Sequence, residues 1–435
     1  HPRMLTTLAN AARRGCRIIA VNPLRERGLE KFAHPQHPMD MLRGGTAIAD
    51  TFVPVRVGGD VAFLKGVMKE VLDAERRSPG QVLDWAFIRD HASEFDAFAA
   101  DLEATPWDAI LASSGVDRET IRRVADVYVS SDRVIACWGM GATQHRWGVD
   151  NVQSIANLLM MRGNIGRPGA GACPVRGHSN VQGDRTMGIF ERPAAAFLDR
   201  LKEVFGFEPP REHGYSVVEA IRAMHAGEVG VFFALGGNFA IASPDTHLTA
   251  EALSRCRLTA FVATKLNRGH LTVGRESLIL PCLGRTEVDE QATGPQFVTV
   301  EDSMSVVHAS HGALTPGSPH LRSEPWIVSR LAAAVLGADP ALDWPALADD
   351  YDRIRDLIAR TIPGFHDFNE RVRRPGGFTL INPAAERRFA TTTGKARFMT
   401  VPIPPDDRGD AHALLLATIR SHDQFNTTIY GHDDR

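Results

Sequence analysis

The chain has 435 residues, 43% hydrophobic and 23% charged, with a formal net charge of -3. Such a balance suits an ordinary globular protein of about three domains at roughly 150 residues each. It excludes a strongly basic nucleic-acid surface as the main partner, and no uninterrupted apolar run approaches the ~18 residues of a transmembrane segment.

The first unit is expected to begin with a helix, "RMLTTLANAARRG", closed by Gly15. A short strand "CRIIAVNP" and a second, "TFVPVRV", follow. "GDVAFLKGVMKEVLDA" reads as an amphipathic helix with Asp60 placed to cap it. Another helix, "DRETIRRVADVYVSS", leads into "RVIACWGMG", a buried strand ending in glycines. Val149, Val152, Ala156 and Leu159 then line one face of the helix "VDNVQSIANLLMMRG". Helices alternating with short strands imply a mostly parallel α/β domain. The pattern returns in "VGVFFALGGN", "TAEALSRC", "LTAFVAT" and "ESLILPC". Beyond residue 285 turn residues dominate and periodicity fades. A helix "PWIVSRLAAAVLG", a charged helical stretch over 338–375, a linker "PIPPDDRGD" and a strand "AHALLLATIR" complete the reading. The expected fold class is α/β. It comprises a cofactor-binding domain over 1–178, an incomplete second one over 179–285, a mixed helical and irregular region over 286–405, and the start of a C-terminal β-barrel over 406–435. The ends, "HPRML" and "IYGHDDR", lead to the expectation of an internal piece of a longer protein.

The five cysteines, Cys16, Cys137, Cys173, Cys256 and Cys282, are widely spaced with no CxxC pair, so no local metal or cluster signature is present. A reduced, cytoplasmic setting follows as the simplest expectation. His34, His37, His308 and His311 show no ligand spacing either.

In parallel α/β folds ligands sit at the carboxyl ends of strands. Three such ends carry small or polar residues: "VNPLRERG", "WGMGATQHRWG" and "LGGNFAIASPD". Glycine allows close backbone approach, and Asn22, Gln144 and Asn238 can donate and accept toward a heterocycle edge. Tight βα turns would account for any one of these ends alone. No GxGxxG or GxxxxGK[ST] motif is present, so ordinary NAD and ATP sites are not supported. The stretch "GACPVRGHSNVQGDRTMG" crowds amides, guanidiniums and an imidazole between glycines. There Arg176 can grip a carboxylate through two parallel hydrogen bonds, or serve a buried network. His178 can carry a proton or be structural, and Cys173 reads as a small buried side chain.

"WGMGATQ" followed by "IANLLMMRGNIGRPGAGACPVRGHSNVQGDRTMG" resembles the molybdopterin oxidoreductases of the dimethyl sulfoxide reductase superfamily, in the branch of the formate dehydrogenase alpha-subunit-like proteins. "RIIAVNP", "ALGGNF", "LILPCLGRTEVD" and "LATIRSHDQFNT" extend the resemblance over nearly the whole chain. It implies molybdenum (or tungsten) held by two molybdopterin guanine dinucleotides, with a 4Fe-4S cluster carried by a region upstream of this chain. It further implies a small anionic substrate and an electron-transfer protein or subunit as partner. By the same resemblance Arg176 holds the substrate anion and His178 relays a proton. Gly177, Asn180, Val181, Gln182 and Gly183 match the pterin loop, and Asn22, Pro23 and Arg25 a strand end that meets one guanine. Gly139, Met140, Gly141 and Gln144 match a cofactor-lining turn, and Gly237, Asn238 and Thr264 contacts to the other dinucleotide. Arg420, Ser421, His422, Gln424 and Asn426 match the first pterin loop of the barrel. No metal ligand is expected within this chain. His178 stands where the formate enzymes have glutamine, and Asn22 where many relatives have aspartate. A thiamine-diphosphate-like enzyme lacks its metal motif here, whereas a non-catalytic scaffold subunit with the same fold remains the alternative function.

Overall fold

In the computed structural model, which describes residues 2–34, 36, 38–42, 44–175, 181–337, 342–406 and 413–416, helices alternate with short, mostly parallel strand pairs. This is the expected α/β class. The chain divides into two compact units, residues 1–177 with 381–418, and residues 178–380 with 419–435.

The first unit is built around helix Asp60–Arg77. Its apolar face buries Val61, Phe63, Val67, Met68 and Val71 against the helices Trp107–Ser114, Arg118–Val129 and Gly148–Met161. Gly66 permits this packing, because a Cβ there would lie 3.0 Å from both Ile110 Cγ2 and Ile121 Cδ1. On the same helix Lys65 is buried but keeps its charge paired, with Nζ 2.6 Å from Asp101 Oδ2 and 3.1 Å from Thr105 Oγ1. Asp60 is not the cap that the sequence suggests. Gly59 holds that position, where a Cβ would sit 2.7 Å from the Ser113 carbonyl oxygen, and the space admits no side chain. Burial instead raises the pKa of Asp60.

Two parallel pairs frame this core. Ile19–Val21 pairs with Thr51–Val53, and Ile135–Trp138 with Gly171–Pro174. The second was expected to be buried. It is not: among the described residues Ile135–Trp138 has a single neighbouring strand, and Ile135 is 56% exposed. Helix Gly148–Met161 also departs from expectation. Val149 is 70% exposed, while Asn151, Ser154 and Asn157 face inward beside Leu159. Hydrogen bonding selects this face. Asn151 Nδ2 donates to the Ala142 carbonyl at 3.0 Å. Asn157 clasps the returning chain, donating to the Met399 carbonyl at 2.8 Å and accepting from the Met399 N–H at 3.0 Å. Phe398, next in line, stacks on Phe98 with ring centroids 4.9 Å apart.

In the second unit, strands Val231–Leu235, Leu258–Ala263 and Glu276–Pro281 form a three-stranded parallel sheet in sequence order. Helices Val217–Ala226 and Thr246–Arg255 pack on each other, burying Ile221, Met224, Ala252 and Leu253 in one cluster. The alternate strand positions Val231, Phe233 and Leu235 stay exposed, as do Leu278, Ile279 and Leu280 of the edge strand. Residues beyond 285, expected to be irregular, contain antiparallel strands. Asp289–Gln291 pairs with Gly294–Gln296, and Val298–Glu301 with Val306–Ser310. Tight turns join strands of only three to five residues, too short for a period-two pattern to stand out. Residues 413–416, expected within a strand, have no regular structure.

Two outcomes follow for the first unit. Asn157→Ala leaves a half-buried N–H and carbonyl on Met399 without partners and should destabilise the chain by about 1 kcal/mol in urea unfolding. Asn157→Leu should be no milder, since it restores volume but not the bonds. Glu75 supplies the pH dependence. Burial works to raise its pKa. Four donors outweigh that effect: Leu83 N at 2.9 Å, Trp85 Nε1 at 2.8 Å, Gly80 N at 2.5 Å and Val82 N at 3.0 Å. Its carboxyl is therefore held below the ordinary 4.5. Its contribution is complete above the unfolded value and is lost as pH falls through the lower folded value. The stability gap between wild type and Glu75→Gln should be widest near neutral pH and close in acid, as read by urea midpoints across pH.

Candidate functional site

Strand Ile19–Val21 delivers Asn22, whose backbone N–H donates to the Val53 carbonyl at 3.1 Å. Its side-chain Nδ2 donates to the Leu24 carbonyl at 2.9 Å, closing a turn over the exposed Pro23. Arg25 lies outward. Its guanidinium sits 5.3 Å from the Phe52 ring centroid, and its Nε is 3.0 Å from Glu30 Oε1.

The turn after Ile135–Trp138 is more open. Gly139 and Gly141 have nothing within 4 Å of where a Cβ would be, and Met140 and Gln144 are exposed. The turn is nonetheless anchored. Gln144 N donates to the Met140 carbonyl at 2.7 Å. Gly148 meets the turn so closely that a Cβ would fall 2.2 Å from Thr143 O. Asn151 holds Ala142 O and lies 2.9 Å from His145 Nε2. His145, held beside Asn151, was not singled out from the sequence. The only hint was its place one residue past Gln144.

The parallel partner Gly171–Pro174 ends at the same edge. Val175 N donates to the Trp138 carbonyl at 2.7 Å, so the residue preceding Arg176 adjoins the glycine turn. Cys137 and Cys173 are register partners on these strands. Burial, then the adjacent Cys173, pushes the Cys137 thiol up to about 12. Wide sequence spacing concealed this pair. Arg176, Gly177, His178 and Asn180 lie outside the described residues, as do Arg420, Ser421, His422, Gln424 and Asn426.

In the second unit, Val181, Gln182 and Gly183 open the short helix Val181–Thr186. Gln182 Nε2 donates to Glu301 Oε1 at 2.8 Å and to Ser305 Oγ at 2.7 Å. These bonds occupy both amide hydrogens and leave the carbonyl oxygen as the group it can offer a ligand. The parallel sheet gathers the remaining candidates at one edge. Gly236 N donates to Val262 O at 2.8 Å, which aligns the end of Val231–Leu235 with that of Leu258–Ala263. Gly236 and Gly237 take φ of 71° and 78°, left-handed values suited to glycine, and Gly237 opens onto free space. Asn238 follows, and Thr264 leaves the neighbouring strand exposed. Asn238 Oδ1 is buried and has no hydrogen-bond partner. Gly269, from the turn Arg268–Leu271, packs against it, since a Cβ at Gly269 would lie 2.6 Å from that oxygen. The Asn267 and His270 side chains cap this turn, which sequence reading had also passed over. Among the described residues no group of three or more His, Cys, Asp or Glu side chains is set to hold a metal ion.

The structure thus brings candidates to carboxyl edges of parallel strands in each unit. Protein YdeP of Escherichia coli O6:H1 is 49% identical over the whole chain, which spans 58% of that relative's length. Uncharacterized oxidoreductase Mb2924c of Mycobacterium bovis is also 49% identical over the whole chain, which spans 56% of its length. Among solved structures, acetylene hydratase from Pelobacter acetylenicus superposes with a TM-score of 0.60 at 16% identity, covering 91% of this chain and 52% of that one, a likeness of fold. The family model for molybdopterin oxidoreductase matches residues 36–307, and the chain belongs to that family.

Proposed function

We propose that this chain is the cofactor-gripping part of the catalytic subunit of a formate-dehydrogenase-like oxidoreductase. It carries out the two-electron oxidation or reduction of a small anionic substrate. Family membership implies a molybdenum or tungsten pterin cofactor, and the bis-guanine dinucleotide form is the finer part of this reading. The observation that carries it is Asn238 Oδ1. A buried acceptor without a partner costs about 1–3 kcal/mol, and that cost is offset when a ligand supplies the donor. It lies just past two left-handed glycines, the second of which faces open space, an arrangement suited to the amino and ring N–H groups of a guanine.

The metal centre, when bound, supplies the two-electron chemistry. This chain's residues bind and orient. Asn22 and the Gly139–Gln144 turn offer backbone and amide groups to one dinucleotide. Gly237, Asn238 and Thr264 hold the other, and the carbonyl oxygen of Gln182 accepts from the pterin alongside Asn180. Arg176 grips the substrate anion with a bidentate pair, and His178 holds or passes the proton. A 4Fe-4S cluster carried outside this chain would supply the route for electrons to an electron-transfer partner, in a cytoplasmic setting.

Two measurements test this reading. Asn238→Leu removes the unpaired oxygen. The ligand-free chain should unfold at the same urea concentration or slightly higher, while affinity for GDP, a fragment of the dinucleotide, drops about tenfold, one hydrogen bond's worth. Equal GDP affinity in both proteins would sink the placement of guanine at Asn238. In the longer protein that carries this chain, Arg176→Ala should lower turnover on the order of 100-fold by loosening the substrate, with metal content by elemental analysis unchanged. Unaltered turnover would remove Arg176 from substrate binding.

A further inference from the structure

Parallel pairing of Ile135–Trp138 with Gly171–Pro174 sets Cys137 directly opposite Cys173, and neither is in a disulfide. Register partners point to the same face of a sheet, on strands about 4.7–4.9 Å apart. A disulfide needs Cα atoms about 4.4–6.8 Å apart and Cβ atoms about 3.5–4.5 Å apart. The first condition is met by strand spacing alone, and the second requires only a slight inward shift. A bond made under that small strain is readily reduced again, as in labile rather than structural disulfides. Cys137 is exposed as a residue although its thiol is partly desolvated, and Cys173 is half-buried, so a dissolved reagent can reach them. Desolvation and then the adjacent Cys173 hold the Cys137 thiol protonated, so the first attack is assigned to Cys173. Cys256 and Cys282 are buried, and among the described residues no other two cysteines are register partners.

We propose that Cys137 and Cys173 are a reversible redox pair that small-molecule disulfides such as oxidised glutathione convert to a cross-strand disulfide. The Cys173 sulfur, giving its proton to water, attacks one sulfur of oxidised glutathione and expels a glutathione thiolate. The Cys137 thiol then loses its proton, attacks the Cys173 sulfur of the mixed disulfide and expels the second glutathione. Two electrons pass from the protein thiols to the reagent, and two glutathione molecules leave. The new bond ties the strands one residue before Trp138 and Pro174. It thereby fixes the spacing of the ends that lead into the Gly139–Gln144 turn and into Val175. This inference goes beyond the proposed function and stands on the strand register whether or not the chain holds a pterin.

The test incubates the intact chain with excess oxidised glutathione, counts thiols after denaturation and maps the peptides by mass spectrometry. The free thiols of Cys137 and Cys173 should both be lost, whatever happens at the exposed Cys16, with a Cys137–Cys173 cross-linked peptide, no glutathione retained on either, and full recovery with dithiothreitol. Cys137→Ser should trap glutathione on Cys173, while Cys173→Ser should leave Cys137 unmodified. Circular dichroism checks that both variants fold. The idea is overturned if wild type keeps glutathione on Cys173 without the cross-link. It is equally overturned if both thiols stay free, or if the cross-link joins other cysteines.

Discussion

One hydrogen bond, from Val175 N–H to the Trp138 carbonyl at 2.7 Å, stands for the constraint on which the first unit's candidate site depends. Parallel strands must place their carboxyl ends at the same edge, and their register is not free to slide by one residue. The Gly139–Gln144 turn and the residue before Arg176 therefore emerge side by side. The same register leaves Cys137 facing Cys173. Two features far apart in the chain, one polar and one sulfur-bearing, are consequences of a single ladder.

The second unit applies the constraint again. Gly236 N–H to Val262 O aligns two strand ends, and the two left-handed glycines that follow turn the chain so that Asn238 Oδ1 is buried without a donor. Such an oxygen is unfavourable in the protein alone and favourable once a ligand donates to it. Other buried polar groups are treated unevenly: Ser154 Oγ and Arg162 Nε also lack partners, whereas several charged and amide groups are well satisfied. Asn157 is bonded on both sides of its amide, Lys65 has two partners, and Glu75 has four donors. What sets the Asn238 oxygen apart is its place, at a strand end just past two left-handed glycines.

Much of the α/β order was legible in the sequence, because strands such as "VGVFFALGGN" and helices such as "TAEALSRC" carry clear patterns and turn signals. The errors fell where local pattern and long-range bonding disagree. Val149 continues an apolar stripe yet faces solvent, because Asn151 and Asn157 find backbone partners at Ala142 and Met399. Asp60 has the chemistry of a cap, yet Gly59 takes the position because only hydrogen fits against Ser113 O. The short antiparallel strands after residue 285 had no periodicity to read. In the site, glycines and amides marked the strand ends, while His145 and the Asn267–His270 turn had no local signal.

The sequence by itself determined the chemical vocabulary and the family. Glycines followed by amides at strand ends, and a specific run around Arg176, depend only on residue identity and order. Tertiary structure alone decided which of these groups are already committed and which are open. Gln182 commits its amide hydrogens to Glu301 and Ser305, Asn238 keeps its oxygen unpaired, and Cys137 meets Cys173. The reason is physical. A side chain's type states what it can bond to, but burial, register and the nearest donor are properties of chain segments brought together from far apart, and no local pattern encodes them.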